Sequence, residues 1–137
     1  MTKYTVTFTD YNDVEHTEDL YFHLSEEELM QIAKNDPDFS ADKLDALRKS
    51  EDPIAMFLMV RKVVGLAFGV KSEDGWYFDK KCPKATNFLN SAACEKFLDD
   101  LISSEDPNVL VKFFEQIFPK SFMEKLKKAQ AEGLITG

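Results

Sequence analysis

The chain has 137 residues, of which 44% are hydrophobic, so it can form one ordinary core but not two. Its 25 acidic residues outnumber 17 basic ones, and the net charge of -8 would repel a nucleic-acid backbone. The lysines at 80–84 and 120–128 are interpreted as solvated faces, so we expect no nucleic-acid partner.

The first predicted element is a β-hairpin. Tyr4, Val6 and Phe8 alternate with threonines, and a second run of alternating residues covers 19–24. The polar segment around Asn12-Asp13 turns the chain between them. A lone hairpin is marginal in water, so its apolar face must pack against the rest of the chain.

A helix follows directly. Ser25 and Glu28 have the spacing of a capping box, and Glu26 and Glu27 lie in the first turn, where the helix dipole favours negative charge. Three neighbouring carboxylates could also form a metal or acid–base site, but helix-start chemistry already explains them. The helix is predicted to end at Asp36-Pro37.

The next helices include the most apolar segment of the chain. A short helix is predicted from Ser40 to Arg48, and another begins at Asp52-Pro53 and ends at Gly69. This second helix is apolar on nearly every side, but its central Arg61 argues against a membrane span. We expect it to lie in the core, with a surface kept for a partner as the alternative.

The second half of the chain is predicted to be a turn followed by three helices. Asp74-Gly75 forms the turn, and the aromatic run 76–78 is expected to anchor that loop to the core. Asn90 or Ser91 begins a helix with one apolar stripe. A helix opened by residues 104–107 follows, and a final lysine-rich helix begins with a capping box at Ser121 and Glu124.

These elements define the predicted fold class. It is α+β and mostly α, with an N-terminal β-hairpin packed on a bundle of about five helices. We predict a single domain over 3–119, with the hairpin at 3–24 and a helical part at 25–119. Residues 120–137 are expected to form a peripheral helix or a flexible arm.

Motifs for catalysis, cofactors or metals are not found. The sequence has no glycine-rich phosphate loop, no HExxH and no GxSxG. Cys82 and Cys94 are expected to be free thiols in a reducing cytoplasm, and their spacing fits no zinc motif. We therefore predict that the protein is not an enzyme and that it has no catalytic, metal or cofactor site.

The N-terminal third resembles a known family. Thr9-Asp10-Tyr11-Asn12, Thr17-Glu18-Asp19 and the pairs Tyr21-Phe22 and Leu24-Ser25 are similar to the N-terminal signature of small phage tail assembly chaperones. The similarity in layout continues to Ile117-Phe118-Pro119, so it covers about residues 3 to 119. Asp13 stands where the family pattern usually has glycine.

The resemblance implies a function. Such a protein is made in the host cytoplasm, is not part of the mature virion, binds the tape measure protein and helps tail tube protein polymerise around it. Self-association is also expected. These chaperones are often made in two forms by ribosomal frameshifting, and Lys127-Lys128 would suit a slippery codon pair.

We predict that the client or self-association surface consists of apolar side chains on three of the helices. They are Phe57, Phe113, Phe114, Ile117, Phe118 and Phe122. Two other classes of function stay open: an acidic adaptor or nucleic-acid mimic that inhibits by protein–protein binding, and a small hydrolase that uses Glu26 to Glu28.

Overall fold

The computed structural model describes residues 1–49, 52–104, 109–117 and 120–131. Two long antiparallel strands, β1 (Thr2–Thr9) and β2 (Glu15–Phe22), form the predicted N-terminal hairpin, with Val6 opposite Glu18. Two shorter strands, β3 (Phe68–Lys71) and β4 (Phe78–Asp79), continue the sheet. The strands lie in the order β1-β2-β3-β4, and every neighbouring pair is antiparallel.

The hairpin turn is built around Asp10. Its backbone N–H donates to Val14 O at 2.9 Å, and its carboxylate accepts from the N–H groups of Asn12 and Val14. Asp13 has a φ of 61°, a left-handed conformation that glycine would adopt more easily. A hydrogen bond with His16, followed by these backbone bonds, lowers the pKa of Asp10 below its usual value.

Several helices begin at the capping residues that the sequence indicates. Ser25 and Glu28 form the predicted capping box, and the Ser40 hydroxyl accepts from Lys43 N–H at 3.2 Å. Single 3-10 turns cover Pro37–Phe39 and Phe88–Asn90. The helices are α1 (Glu26–Asn35), α2 (Ala41–Lys49), α3 (Pro53–Ala67), α4 (Pro83–Thr86), α5 (Ala92–Ile102), α6 (Val109–Ile117) and α7 (Lys120–Ala131).

The core lies between one face of the sheet and the helices. In the hairpin the even-numbered residues, such as Val6, Leu20 and Phe22, point inward, whereas Thr5 and Thr7 on the other face are exposed. α5 packs across β1 on the inner face. An aromatic cluster fills the centre: Phe22, Phe68, Phe88, Phe97 and Phe113.

The predicted fold class is wrong in one respect, because the chain does not form a hairpin on a helical bundle. Segments interpreted as a helix end and a loop instead add β3 and β4, and β3 pairs with β2 through Tyr21 opposite Gly69. Gly69 is therefore a strand residue and not a helix cap. A Cβ there would lie 2.6 Å from the Phe78 ring, so only glycine lets that ring cross the strand.

The C-terminal helix contacts the rest of the chain. Phe122 and Leu126 of α7 are buried in the core, and Lys125 Nζ lies 2.9 Å from Glu26 of α1. Phe118 and Pro119, where the predicted single domain ends, lie outside the described residues, so the boundary at 119 stays a prediction. None of the helices in the described ranges is both long and apolar enough to cross a membrane.

Candidate functional site

Among the helical residues whose burial the structure describes, the outer side of α3 exposes the most large apolar side chains. Asp52 caps the helix by accepting from the N–H groups of Ile54 and Ala55, each at 3.1 Å. The inner stripe consists of Met56, Val60, Val63, Val64 and Ala67, all buried. The three large apolar residues on the outer side are Ile54 at 67% exposure, Leu58 at 59% and Leu66 at 40%.

These three residues follow one ridge of the helix. They are spaced by multiples of four, so they lie nearly in line along the helix surface, with Lys62 completing the row. Lys62 is held by Asp36 in an ion pair, and its ammonium lies 5.3 Å from the centre of the Phe39 ring. The row is therefore an apolar ridge with one anchored charge.

A groove lies on each side of this ridge. The groove facing α1 has a volume of about 650 Å³, and the groove facing α5 has a volume of about 500 Å³. Arg61 and Leu89 line both, so the two grooves adjoin at these residues. We call the combined area the α3 surface; it consists of Ile54, Phe57, Leu58, Arg61, Leu66, Leu89 and Ile102.

Gly65 explains how the two grooves come together. A Cβ at this position would lie 2.7 Å from Leu89 Cδ1, so the leucine packs directly on the backbone of α3. Leu89 comes from the 3-10 turn before α5 and forms a floor shared by both grooves. A larger residue at position 65 would push this floor outward.

Charged side chains line both grooves, with Glu95 and Asp99 in the groove facing α5 and the Asp36–Lys62 ion pair in the groove facing α1. Arg61 is exposed, and it has no ion-pair partner among the residues that the structure describes. Burial raises the pKa of the neighbouring Cys94 thiol to about 11, although Arg61 acts in the opposite direction. The thiol is thus neutral at physiological pH. The groove facing α1 has mainly apolar walls, whereas the groove facing α5 is more polar.

The six residues predicted to bind a client occupy different environments. Phe57 is half-buried and lines the groove facing α5. Phe113, Ile117 and Phe122 are buried in the core, and the Phe113 ring lies 5.5 Å from that of Phe22. Phe118 and the side chain of Phe114 lie outside what the structure describes.

Sequence reasoning missed the residues that are exposed on α3. The apolar pattern predicts a core position for α3 as a whole and a single apolar stripe on α5, yet Ile54, Leu58, Leu66 and Ile102 are all exposed. One signal did point to them, since a helix that is apolar on nearly every side has more apolar surface than a small domain can cover.

The carboxylates at the start of α1 do not converge on a site. Glu28 accepts from Lys80 Nζ at 2.6 Å, whereas Glu26 pairs with Lys125. Burial alone would raise the pKa of Glu28, but the hydrogen bonds from Lys80 and Ser25 outweigh it and lower the pKa. Within the described ranges, no three His, Cys, Asp or Glu residues come close enough to hold a metal ion.

The aromatic turn is a second exposed apolar feature. Trp76 and Tyr77 are exposed, so they do not anchor the loop, and only Phe78 packs inward against His23 and Gly69. The turn itself is well ordered by hydrogen bonds, because Ser72 and Asp74 bond each other and the N–H groups of Tyr77 and Trp76.

Comparison with known proteins adds a family assignment. A family model described as "Phage tail assembly chaperone" matches residues 1–134, which is nearly the whole chain. No curated protein and no solved structure matches.

Proposed function

We propose that this chain, which belongs to the phage tail assembly chaperone family, binds the tape measure protein and promotes polymerisation of the tail tube around it. The proposal includes action in the host cytoplasm and absence from the mature virion. The observation that carries it is the α3 surface, where large apolar side chains are exposed beside two grooves.

The shape of the α3 surface suits a helical client. An amphipathic helix binds a groove by inserting apolar residues spaced three and four apart, and the ridge of α3 separates two grooves that can receive such residues. Grooves of about 650 and 500 Å³ can each take several large side chains. Arg61, at the junction, could pair with a carboxylate on the client.

The openness of the surface fits a temporary complex. The grooves are open and lie on the outside of the domain, and the interfaces of temporary complexes are usually smaller than those of permanent ones. Binding of that kind can be displaced when tail tube subunits compete for the same client segment. The net charge of -8 would keep the chaperone dispersed while its apolar surface is free.

The predicted six-residue surface is retained in part. Phe57 belongs to the α3 surface, and Phe114 and Phe118 stay as predicted contacts. For Phe113, Ile117 and Phe122, contact with a client would require α6 and α7 to separate from the core, since these three side chains are buried.

A single charge placed on the ridge tests the proposal. Leu58→Asp should weaken co-purification with tape measure fragments by at least about tenfold, because a carboxylate would be desolvated in the client interface. Val14→Asp is the matched control, since Val14 is 52% exposed but lies at the hairpin turn. Circular dichroism and a thermal melt verify that both variants are folded.

Two results would count against the proposal in different ways. Equal retention of the client by wild type and by Leu58→Asp would mean that the α3 surface is not the binding site. Failure of the wild-type protein to bind either tape measure or tail tube protein would remove the proposed function itself.

A further inference from the structure

The outer edge of β1 is the longest open strand edge among the strands that the structure describes. β1 has eight residues and lies at the end of the sheet, and within the described part of the chain no strand pairs with its outer side. The opposite edge is β4, which has two residues and is followed by Lys80 and Lys81. A strand that short offers little for pairing, so the two edges differ sharply.

We propose that two copies of this chain associate edge to edge through β1. Their two four-stranded sheets then join into one continuous eight-stranded sheet. This inference is independent of the proposed function. It rests on the backbone of β1 and uses no residue of the α3 surface.

β1 lacks the features that usually protect an edge strand. Its register with β2 runs without a bulge from Thr2 opposite Phe22 to Thr9 opposite Glu15. It contains no proline, and its one charged residue is Lys3, near the end. Proline, bulges and central charges are the usual means by which proteins prevent edge pairing, so the middle of β1 is open.

The hairpin turn shows which backbone groups face outward. The Asp10 N–H donates to Val14 O, so this pair is of the hydrogen-bonded type. Because such pairs alternate along an antiparallel ladder, the even-numbered residues of β1 bond to β2. The N–H and C=O groups of Lys3, Thr5, Thr7 and Thr9 therefore point away from the sheet.

These outward groups are self-complementary. If a two-fold axis passes beside Val6, Thr5 lies opposite Thr7 of the second copy and Lys3 lies opposite Thr9, so every outward N–H and C=O finds a partner. An axis beside Thr5 or Thr7 would leave one outward residue unpaired. The arrangement with the two-fold axis beside Val6 therefore forms the most hydrogen bonds between the two copies.

The side chains fit the same arrangement. On the inner face Tyr4 would lie opposite Phe8 of the second copy, and both are only half-buried in one copy. On the outer face threonines would face threonines, a favourable cross-strand pair. Both helical layers would then lie on the same side of the joined sheet.

Charge within β1 does not oppose a second copy. The chain carries a net charge of -8, so two copies repel each other overall. β1 itself contains no acidic residue, although Asp19 of β2 bonds to Thr5, and Glu95 and Asp99 of α5 line a pocket beside Thr7 and Phe8.

Sedimentation of the purified chain over a range of concentrations tests the proposal. We expect the wild-type chain to form a reversible dimer. In Thr5→Pro the dissociation constant should rise at least about tenfold, because each copy loses the outward N–H of residue 5 and the dimer loses two hydrogen bonds. Thr5→Ser is the matched control, because it keeps both the N–H and the hydroxyl and should dimerise like wild type. A wild-type monomer at every concentration, or a Thr5→Pro variant that dimerises normally, would overturn the proposal.

A cross-linking experiment covers the case in which the proline variant does not fold. Thr5→Cys with Thr7→Cys, in a Cys82→Ser background, places thiols opposite each other in the joined sheet at a separation of about 5.5 Å between Cα atoms. Mild oxidation should give a covalent dimer. The matched pair Thr17→Cys with Asp19→Cys lies on the exposed face of β2, away from the edge, and should stay monomeric. Equal yields of dimer from both pairs, or none from the first, would contradict edge pairing.

Discussion

α3 and α5 are both apolar helices with a polar cap, yet they present different outer surfaces. α5 buries Phe97, Leu98 and Leu101 and turns mainly charged residues outward, with Ile102 as its one large exposed apolar side chain. α3 buries an equally regular stripe but also exposes the apolar ridge of the α3 surface. The comparison therefore distinguishes apolar residues that are buried in the core from apolar residues that remain exposed to a partner.

The comparison shows which apolar residues need a functional explanation. Exposed single hydrophobic residues are normal on protein surfaces, but a row of them beside two grooves is typical of an interaction site. α5 resembles an ordinary amphipathic helix of a two-layer domain. On α3, the outer row contributes little to the core, so its apolar character is better explained by a partner.

The largest expected effect comes from removing the same side chain on the two helices. Leu101→Ala on α5 should lower the free energy of unfolding by about 2–5 kcal/mol, because Leu101 is buried and the change leaves a cavity. Leu58→Ala on α3 should change it by less than about 0.5 kcal/mol. Urea unfolding measures both changes. A similar loss of unfolding free energy in the two variants would contradict the proposed difference between α5 and α3.

The helix starts should show no such difference. Asp52→Ala and Ser91→Ala each remove a side chain that accepts from backbone N–H groups, at 3.1 Å for Ile54 and 3.0 Å for Cys94. Each should lower the free energy of unfolding by about 1 kcal/mol. Equal losses, measured by thermal melts, would show that the helices differ in their outer faces and not in how they begin.

Thiol labelling measures the smallest effect, but it is the most direct test of side-chain exposure on the two helices. Cys94 on α5 is buried with its pKa raised to about 11, so it should resist alkylation at pH 8.5, whereas Leu58→Cys on α3 should react rapidly. Mass spectrometry of the alkylated protein measures both. Cys82, which is half-buried, serves as an internal reference in the same sample.

The same thiol predicts a loss of stability in alkaline solution. Folding raises the pKa of Cys94. The stabilisation that comes from keeping this thiol protonated is therefore fully present below the unfolded pKa near 9, and it is lost as the pH rises toward the folded pKa of about 11. Cys94→Ala should remove this part of the pH dependence. An unchanged alkaline profile in that variant would show that Cys94 is not its source.

Most elements specified by neighbouring residues were predicted correctly. The hairpin, the capping box of Ser25 and Glu28, and the Asp52-Pro53 start of α3 are confirmed, because each depends on groups a few residues apart. Of the predicted start of α6 at residues 104–107, residues 105–107 lie outside the described ranges. Ser121, which was predicted to open the last helix, lies inside α7 and is not its first capping residue.

Elements specified by distant residues were not predicted. Gly69 has the local signature of a helix cap, and its role in β3 depends on the Phe78 ring and on pairing with Tyr21 of β2. In the same way, Phe113 and Leu58 are both large apolar residues on apolar helices. Only their neighbours in space make one a core residue and the other exposed.

The sequence by itself therefore determined the hairpin, the positions at which most helices begin, the family and the surplus of apolar residues on one helix. The tertiary structure alone decided that the hairpin extends into a four-stranded sheet, which side of α3 is exposed and that β1 has a free edge. The physical reason is range: caps and turns are satisfied within a few residues, whereas burial and strand pairing depend on segments far apart in the chain.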